Sequence, residues 1–184
     1  ITLTGATVMN GWSVTEGGLS GPAKTISNNI FTNWACGTSA VTVLSSNFGD
    51  NNTIISDNTI SAISAAAAIT AISLGNSNKG TVQTCSGNTI ADLTSTGGSV
   101  LGIVGGATTV TTFNINNNTI SGLSSSNAGS GVTGIRMLTA STANVFKNKI
   151  YDLSASNATG TVSGLDVFGT ALGTYNINNN LVGD

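Results

Sequence analysis

Apolar and polar residues alternate over short stretches along most of the chain, as in half-buried β-strands, with clusters of Gly, Ser, Thr and Asn between them. The alternation itself recurs. An asparagine followed two residues later by an aliphatic falls at Asn28, Asn58, Asn88, Asn118 and Asn148, each 30 residues apart, and again at Asn180 after 32. The apolar column after it reads Ile30, Ile60, Ile90, Ile120, Ile150 and Val182; three residues further on stand Ile63, Leu93, Leu123 and Leu153. Three residues before the asparagine come Ile55, Cys85, Ile115, Val145 and Ile177. A second motif, a small residue followed by an aliphatic, starts at Ala40, Ala71, Gly102, Gly134 and Gly164 and keeps the same period. Only "SAISAAAAITAIS" (61–73) carries helical propensity, from its alanines. Ile63 and Ile72 already belong to strand columns, so strand, turn, strand is expected there.

A unit of this length holds about three short strands and cannot bury its own core; stacking the units solves this. The expected fold is all-β, a single-stranded parallel β-helix (solenoid) of about six coils. Strands spaced about 4.8 Å apart would make a rod about 29 Å long. Residues 1–184 read as a single domain, with 1–25 an irregular first coil and 26–184 regular coils. "NNTISGL", "GNTIADL" and "NKIYDLS" resemble the parallel β-helix repeat of the pectate-lyase-like superfamily. More narrowly, they are similar to the tandem N-x-I-x-x-L arrays of very large bacterial surface adhesins, including those exported by the type IX route. The resemblance covers about residues 26–184. Together with the crossover rule for parallel strands it implies a right-handed coil, and it implies an extracellular or cell-surface location in a bacterium. It specifies fold rather than function, because lyases, tailspikes and adhesins share the repeat.

The columns have distinct expected roles. Stacked amides at Asn28, Asn58, Asn88, Asn118, Asn148 and Asn180 would form a ladder, and asparagine also tolerates the left-handed backbone of a sharp bend. Ile60, Ile90, Ile120, Ile150, Leu93, Leu123 and Leu153 would form core columns, each buried aliphatic contributing about 1.5–3 kcal/mol. The Ala40-to-Gly164 column suggests close approach of backbones. The turn after the isoleucine column lengthens along the chain, so "SSSNAGSG" and "SASNATGT" should protrude on one side.

Composition narrows the function. Hydrophobic residues make up 39%, mean hydropathy is +0.25, and only five basic and seven acidic residues are present, which argues against disorder. A net charge of −2 without a basic face points away from a nucleic-acid partner. No apolar run reaches the roughly 18 residues of a membrane span, so no membrane insertion is expected. The start "ITLTGATVMN" has neither signal-peptide character nor an initiator Met and reads as a mature or excised segment. No amphipathic cap helix follows "NINNNLVGD", which suggests an uncapped solenoid.

No constellation for chemistry emerges. Cys36 is placed in a turn, without any His in the chain to activate it, and Cys85 in a buried column. Asp92 and Asp152 share a column with Gly122 between, roughly 9–10 Å apart. Inverting glycosidases space their carboxyls comparably, but no basic or aromatic residue shares that column. Arg136 and Asp166 should stack as an exposed ion pair. Thr59, Thr89 and Thr119, interrupted by Asn29 and Lys149, make an incomplete ice-binding face. No catalytic, cofactor or metal site is expected. The leading reading is a non-enzymatic rod, a repeat segment of a bacterial adhesin or extracellular filament. Its partners would be itself or adjoining repeats end to end, and surface polysaccharide. The alternative is a carbohydrate-active β-helix enzyme, or a solenoid that binds polysaccharide or ice.

Overall fold

A computed structural model describes residues 2–3, 9–15, 23–47, 52–75, 82–106, 112–156, 159–168 and 173–183. All its regular elements are strands, in chain order three to a turn. The first turn holds β1 (Thr2–Leu3), β2 (Met9–Thr15) and β3 (Lys24–Ser27); the second β4 (Ile30–Cys36), β5 (Val41–Asn47) and β6 (Asn52–Ser56). The third holds β7 (Thr59–Ala65), β8 (Ile69–Leu74) and β9 (Val82–Ser86); the fourth β10 (Thr89–Ser95), β11 (Val100–Gly105) and β12 (Thr112–Asn116). Next come β13 (Thr119–Ser125), β14 (Val132–Met137) and β15 (Thr142–Phe146), then β16 (Lys149–Ala155), β17 (Val162–Val167) and β18 (Thr174–Asn178). The short β19 (Leu181–Val182) begins one more rung.

Each strand pairs in parallel with the strand three positions later, giving sheets of seven, six and six strands around one apolar interior. The chain is a parallel β-solenoid. Its alanine-rich stretch is strand, turn, strand, as the columns require: tertiary register overrides helical propensity. Ile60 stacks on Ile90, Ile120 and Ile150, while Ile63 stacks on Leu93, Leu123 and Leu153. All of these are buried except Leu153, which is half-buried on the outermost complete rung.

The three-residue spacing in N-x-I-x-x-L has a conformational cause. In a regular strand, residues two apart share a face, so Ile90 and Leu93 could not both point inward. Asp92, between them, takes a left-handed backbone (φ 54°) and resets the alternation. Asn33, Ala62, Gly122 and Asp152 hold the same position in their rungs with φ of 61°, 52°, 63° and 54°. A second left-handed column precedes the ladder: Asn28, Asp57, Gly87, Asn117, Lys147 and Asn179. Every rung of the seven-stranded sheet that these columns cross therefore turns twice. Asn, Asp and Gly dominate both columns because they adopt this conformation at least cost.

This geometry corrects the first repeat. Asn28 is not a ladder residue: it makes the bend at φ 59°, and Asn29 takes the ladder position. The coil from Asn29 to Asn58 is 29 residues, one shorter than the period, and the adjacent asparagines disguised the slip. Ile30 accordingly pairs with Thr59 and points outward, 74% exposed, while Phe31 stacks on Ile60. Phe31 meets Trp34 edge to face, ring centroids 6.0 Å apart. Val43, not Ala40, shares the column of Ala71, because Thr42 pairs with Thr70 and Leu44 with Ile72. Cys36 closes β4 instead of lying in a turn. Within the irregular first coil expected over 1–25, β2 pairs with β5 in register from Met9 to Thr15. Glu16, Asp50, Asp184, most of "TTVTTF" and the middle of "SASNATGT" lie outside the described residues.

Ala62 is exposed and holds a left-handed conformation with a Cβ that opposes it. That conformation costs about 1–2 kcal/mol in a non-glycine residue, against about 0.5–1 kcal/mol of extra chain entropy for glycine. Ala62→Gly should therefore raise the urea midpoint, by a net of about 0.5–1 kcal/mol. An unchanged or lowered midpoint would show that the bend at Ala62 carries no strain.

Candidate functional site

The feature that runs through the whole molecule is the amide ladder. Asn29 Nδ2 donates to Asn58 Oδ1 at 2.9 Å, and Asn58 Nδ2 to Asn88 Oδ1 at 3.0 Å. Asn88 Nδ2 donates to Asn118 Oδ1 at 3.0 Å, Asn118 Nδ2 to Asn148 Oδ1 at 2.9 Å and Asn148 Nδ2 to Asn180 Oδ1 at 2.9 Å. The backbone N–H of each donor residue reaches the same Oδ1, at 3.0–3.1 Å. The second Nδ2 hydrogen turns back to a carbonyl of the preceding coil: Asn58 to Ile26, Asn88 to Ile55, Asn118 to Cys85, Asn148 to Ile115 and Asn180 to Val145, at 2.8–3.0 Å.

Each interior asparagine thus clips three coils together. Its oxygen accepts two bonds from the coil before, and its nitrogen donates one forward and one back. Asn58, Asn88, Asn118 and Asn148 are buried, and this satisfaction is what permits their burial. Aspartate has the same shape but no hydrogen to donate; glutamine is one methylene too long.

A second ladder lies outside the barrel wall, where Asn176 Nδ2 donates to Asn144 Oδ1 and Asn144 Nδ2 to Asn114 Oδ1, both at 2.8 Å. Only the register reveals it, since Asn114 and Asn176 stand in asparagine clusters where the sequence alone does not single them out.

The titratable residues spread along the solenoid. Arg136 Nε and Nη2 bind Asp166 Oδ2 at 3.1 and 3.0 Å, as the column spacing implies. Arg136 also donates to Thr133 Oγ1 at 3.3 Å and lies 5.6 Å over the Phe168 ring. This pair is partly solvated, a geometry typically worth at most about 1 kcal/mol. Asp92 and Asp152 share a left-handed column separated by Gly122, where a Cβ would meet Asp92 Oδ1 at 2.6 Å. Lys149 lies 4.7 Å over the Tyr151 ring in the outward position of Thr59, Thr89 and Thr119; Ile30, rather than Asn29, breaks that threonine row at its other end. Among the described residues no group of three or more His, Cys, Asp or Glu is arranged to hold a metal ion.

Both cysteines are free. Cys36 Sγ contacts Met9 Sδ at 3.2 Å, while Cys85 is buried in its column and accepts from Asn88 Nδ2 at 3.3 Å. Burial raises the pKa of both thiols, that of Cys85 far more strongly.

A cavity of about 240 Å³ lies over Asp152 and Leu153, bounded by Val162, Gly164 and Val182. Comparison with protein-family models, with curated proteins and with solved structures finds no match to this chain.

Asn118→Ala leaves neighbouring amides and the Cys85 carbonyl unpaired and should cost about 1–3 kcal/mol in denaturant unfolding. Asn118→Asp should cost more at neutral pH, because it buries a charge that cannot donate. Burial raises the folded-state pKa of that carboxyl above its unfolded value, so its protonated form favours folding. The stability of Asn118→Asp relative to Asn118→Ala should accordingly rise as pH falls from 7 to 4; a gap that stays constant with pH would contradict the buried ladder. Thiol titration at pH 8 should show Cys36 reacting slowly in the native protein and Cys85 only after unfolding.

Proposed function

We propose that the chain is a stiff, non-enzymatic rod, a repeat segment of a bacterial cell-surface adhesin or extracellular filament that stacks end to end. The observation that carries this reading is the unbroken ladder from Asn29 to Asn180, parallel to three continuous sheets. Bending or stretching the axis would have to break buried amide bonds and sheet bonds in the same coil. The structure invests its buried polar groups in axial continuity. The Arg136–Asp166 pair neutralises itself on the surface, and Asp92 and Asp152 each sit in a backbone bend. The N-x-I-x-x-L resemblance to tandem adhesin arrays supports the extracellular placement.

The competing reading, a carbohydrate-active enzyme, is tested by incubating the purified chain with a panel of acidic and neutral polysaccharides and measuring reducing-end release. No turnover is expected. Turnover removed by Arg136→Ala or by Asp152→Asn would overturn the rod reading in favour of a lyase or hydrolase.

A further inference from the structure

The apolar interior is interrupted at one corner, where the sheet of β5, β8, β11 and β14 passes into the sheet of β6, β9, β12 and β15. Two inward columns meet there. One runs Ser46, Leu74, Gly105 and Met137. The other runs Thr53, Gln83, Phe113 and Ala143. All eight residues are buried.

Size is complementary across this corner in the later turns. In the fourth turn Gly105 stands with Phe113, and a Cβ on the glycine would lie 3.5 Å from the ring. In the fifth, Met137 stands with Ala143. Each of these turns combines a large side chain with a small one. The second turn combines Ser46 with Thr53, both small and both polar. In the third, Leu74 stands with Gln83, and Gly75 follows directly in the left-handed conformation, φ 70°. Gly75 brings the polar residues of the two turns to one place. Its N–H donates to the Ser46 carbonyl at 3.0 Å, and a Cβ on it would lie 3.2 Å from both Nε2 and Oε1 of Gln83.

Ser46 Oγ and Gln83 Oε1 are buried without a hydrogen-bond partner in the protein. Among the described residues they are the only buried side-chain oxygens or nitrogens in that condition, and both fall at this corner. Buried polar atoms that no protein group satisfies are characteristically met by ordered water.

We propose that this corner is a binding site for one internal water molecule, which accepts a hydrogen bond from the Ser46 hydroxyl and donates one to Gln83 Oε1.

The chemistry of the two atoms selects the occupant. The serine hydroxyl has a proton to give, whereas the amide oxygen only accepts. The occupant must therefore accept and donate at once, as water does. An anion has no proton for the amide oxygen. A bare cation would find neutral oxygens and no carboxylate, with Lys24 paired to Thr53 one coil away. An apolar occupant would leave both atoms unmet. Turning the Gln83 amide over exchanges an acceptor for a donor at the same place, and water satisfies either arrangement. Thr53 shares the turn of Ser46 and stacks on Gln83, so a third polar side chain lines the corner, matching the roughly three partners of a typical buried water. The sequence carries the trace of the site at Ser46, where the corresponding positions of later turns hold Leu74 and Met137.

Oxygen-17 relaxation dispersion of the solvent counts long-lived internal waters and does not respond to proton exchange with hydroxyls. The native chain is compared with the double variant Ser46→Ala/Gln83→Leu, which removes both polar partners and leaves an apolar corner that stays dry. The expected result is a dispersion amplitude lower by one water molecule in the variant, with an unchanged β-sheet circular dichroism spectrum. Equal amplitudes in the two folded proteins would overturn the site. A second measurement uses the native chain alone and decides the matter where the variant does not fold. The side-chain amide protons of Gln83 should show a nuclear Overhauser cross-peak to the water resonance with the sign of a slowly tumbling, bound molecule. Absence of that cross-peak would overturn the site.

Discussion

Burying a polar group is costly unless its hydrogen bonds are met within the protein. In this chain that constraint is met by one side chain per coil. Each ladder asparagine fills its own donors and acceptors only when the coils before and after it stand in register, so a single residue type dictates the period, the parallel sense and the axial spacing together. The aliphatic columns supply most of the favourable burial but specify register less sharply, because an isoleucine packs acceptably against several neighbours. The ladder tolerates no such slippage. Coil lengths of 29 to 32 residues coexist with it, since the extra residues are absorbed in turns away from it.

The left-handed columns are the second element of the design. One of them lets a short strand point two apolar residues three apart into the same core, and the other bends the wall just before that strand. Asn117 and Asn118, adjacent and chemically identical, divide the work: one bends the chain and the other ties the coils. Where the bend falls on Asp57 or Asp92, the next coil places Gly87 or Gly122 beside it, which leaves room for the carboxylate, and Gly122 also keeps Asp92 and Asp152 two coils apart.

The period and the core from Asn58 onward were legible in the sequence because Ile60, Ile90, Ile120 and Ile150 recur at one spacing and no competing register matches as many columns. The first repeat was not, since "SNNIF" offers two asparagines and two apolar residues that fit almost equally well, and only pairing with Thr59 decides between them. The left-handed position within the strand was hidden for another reason: Asn33, Ala62, Asp92 and Gly122 share a backbone conformation without sharing a side chain. The outer ladder of Asn114, Asn144 and Asn176 was masked by the abundance of asparagine around it. The exposure of Leu153 depends on what stacks above it, which no local pattern encodes.

The inner ladder has an electrical consequence. In a helix, peptide dipoles add along the axis because all point the same way. Here the side-chain amides do so: from Asn29 to Asn148, each Nδ2 points toward the Asn180 end and meets an oxygen of the next coil. Every coil added to the stack contributes one more aligned amide. The inner ladder therefore carries partial positive charge toward Asn180 and partial negative charge toward Asn29, and the outer ladder, whose Nδ2 groups point the opposite way from Asn176 to Asn114, opposes it over three coils.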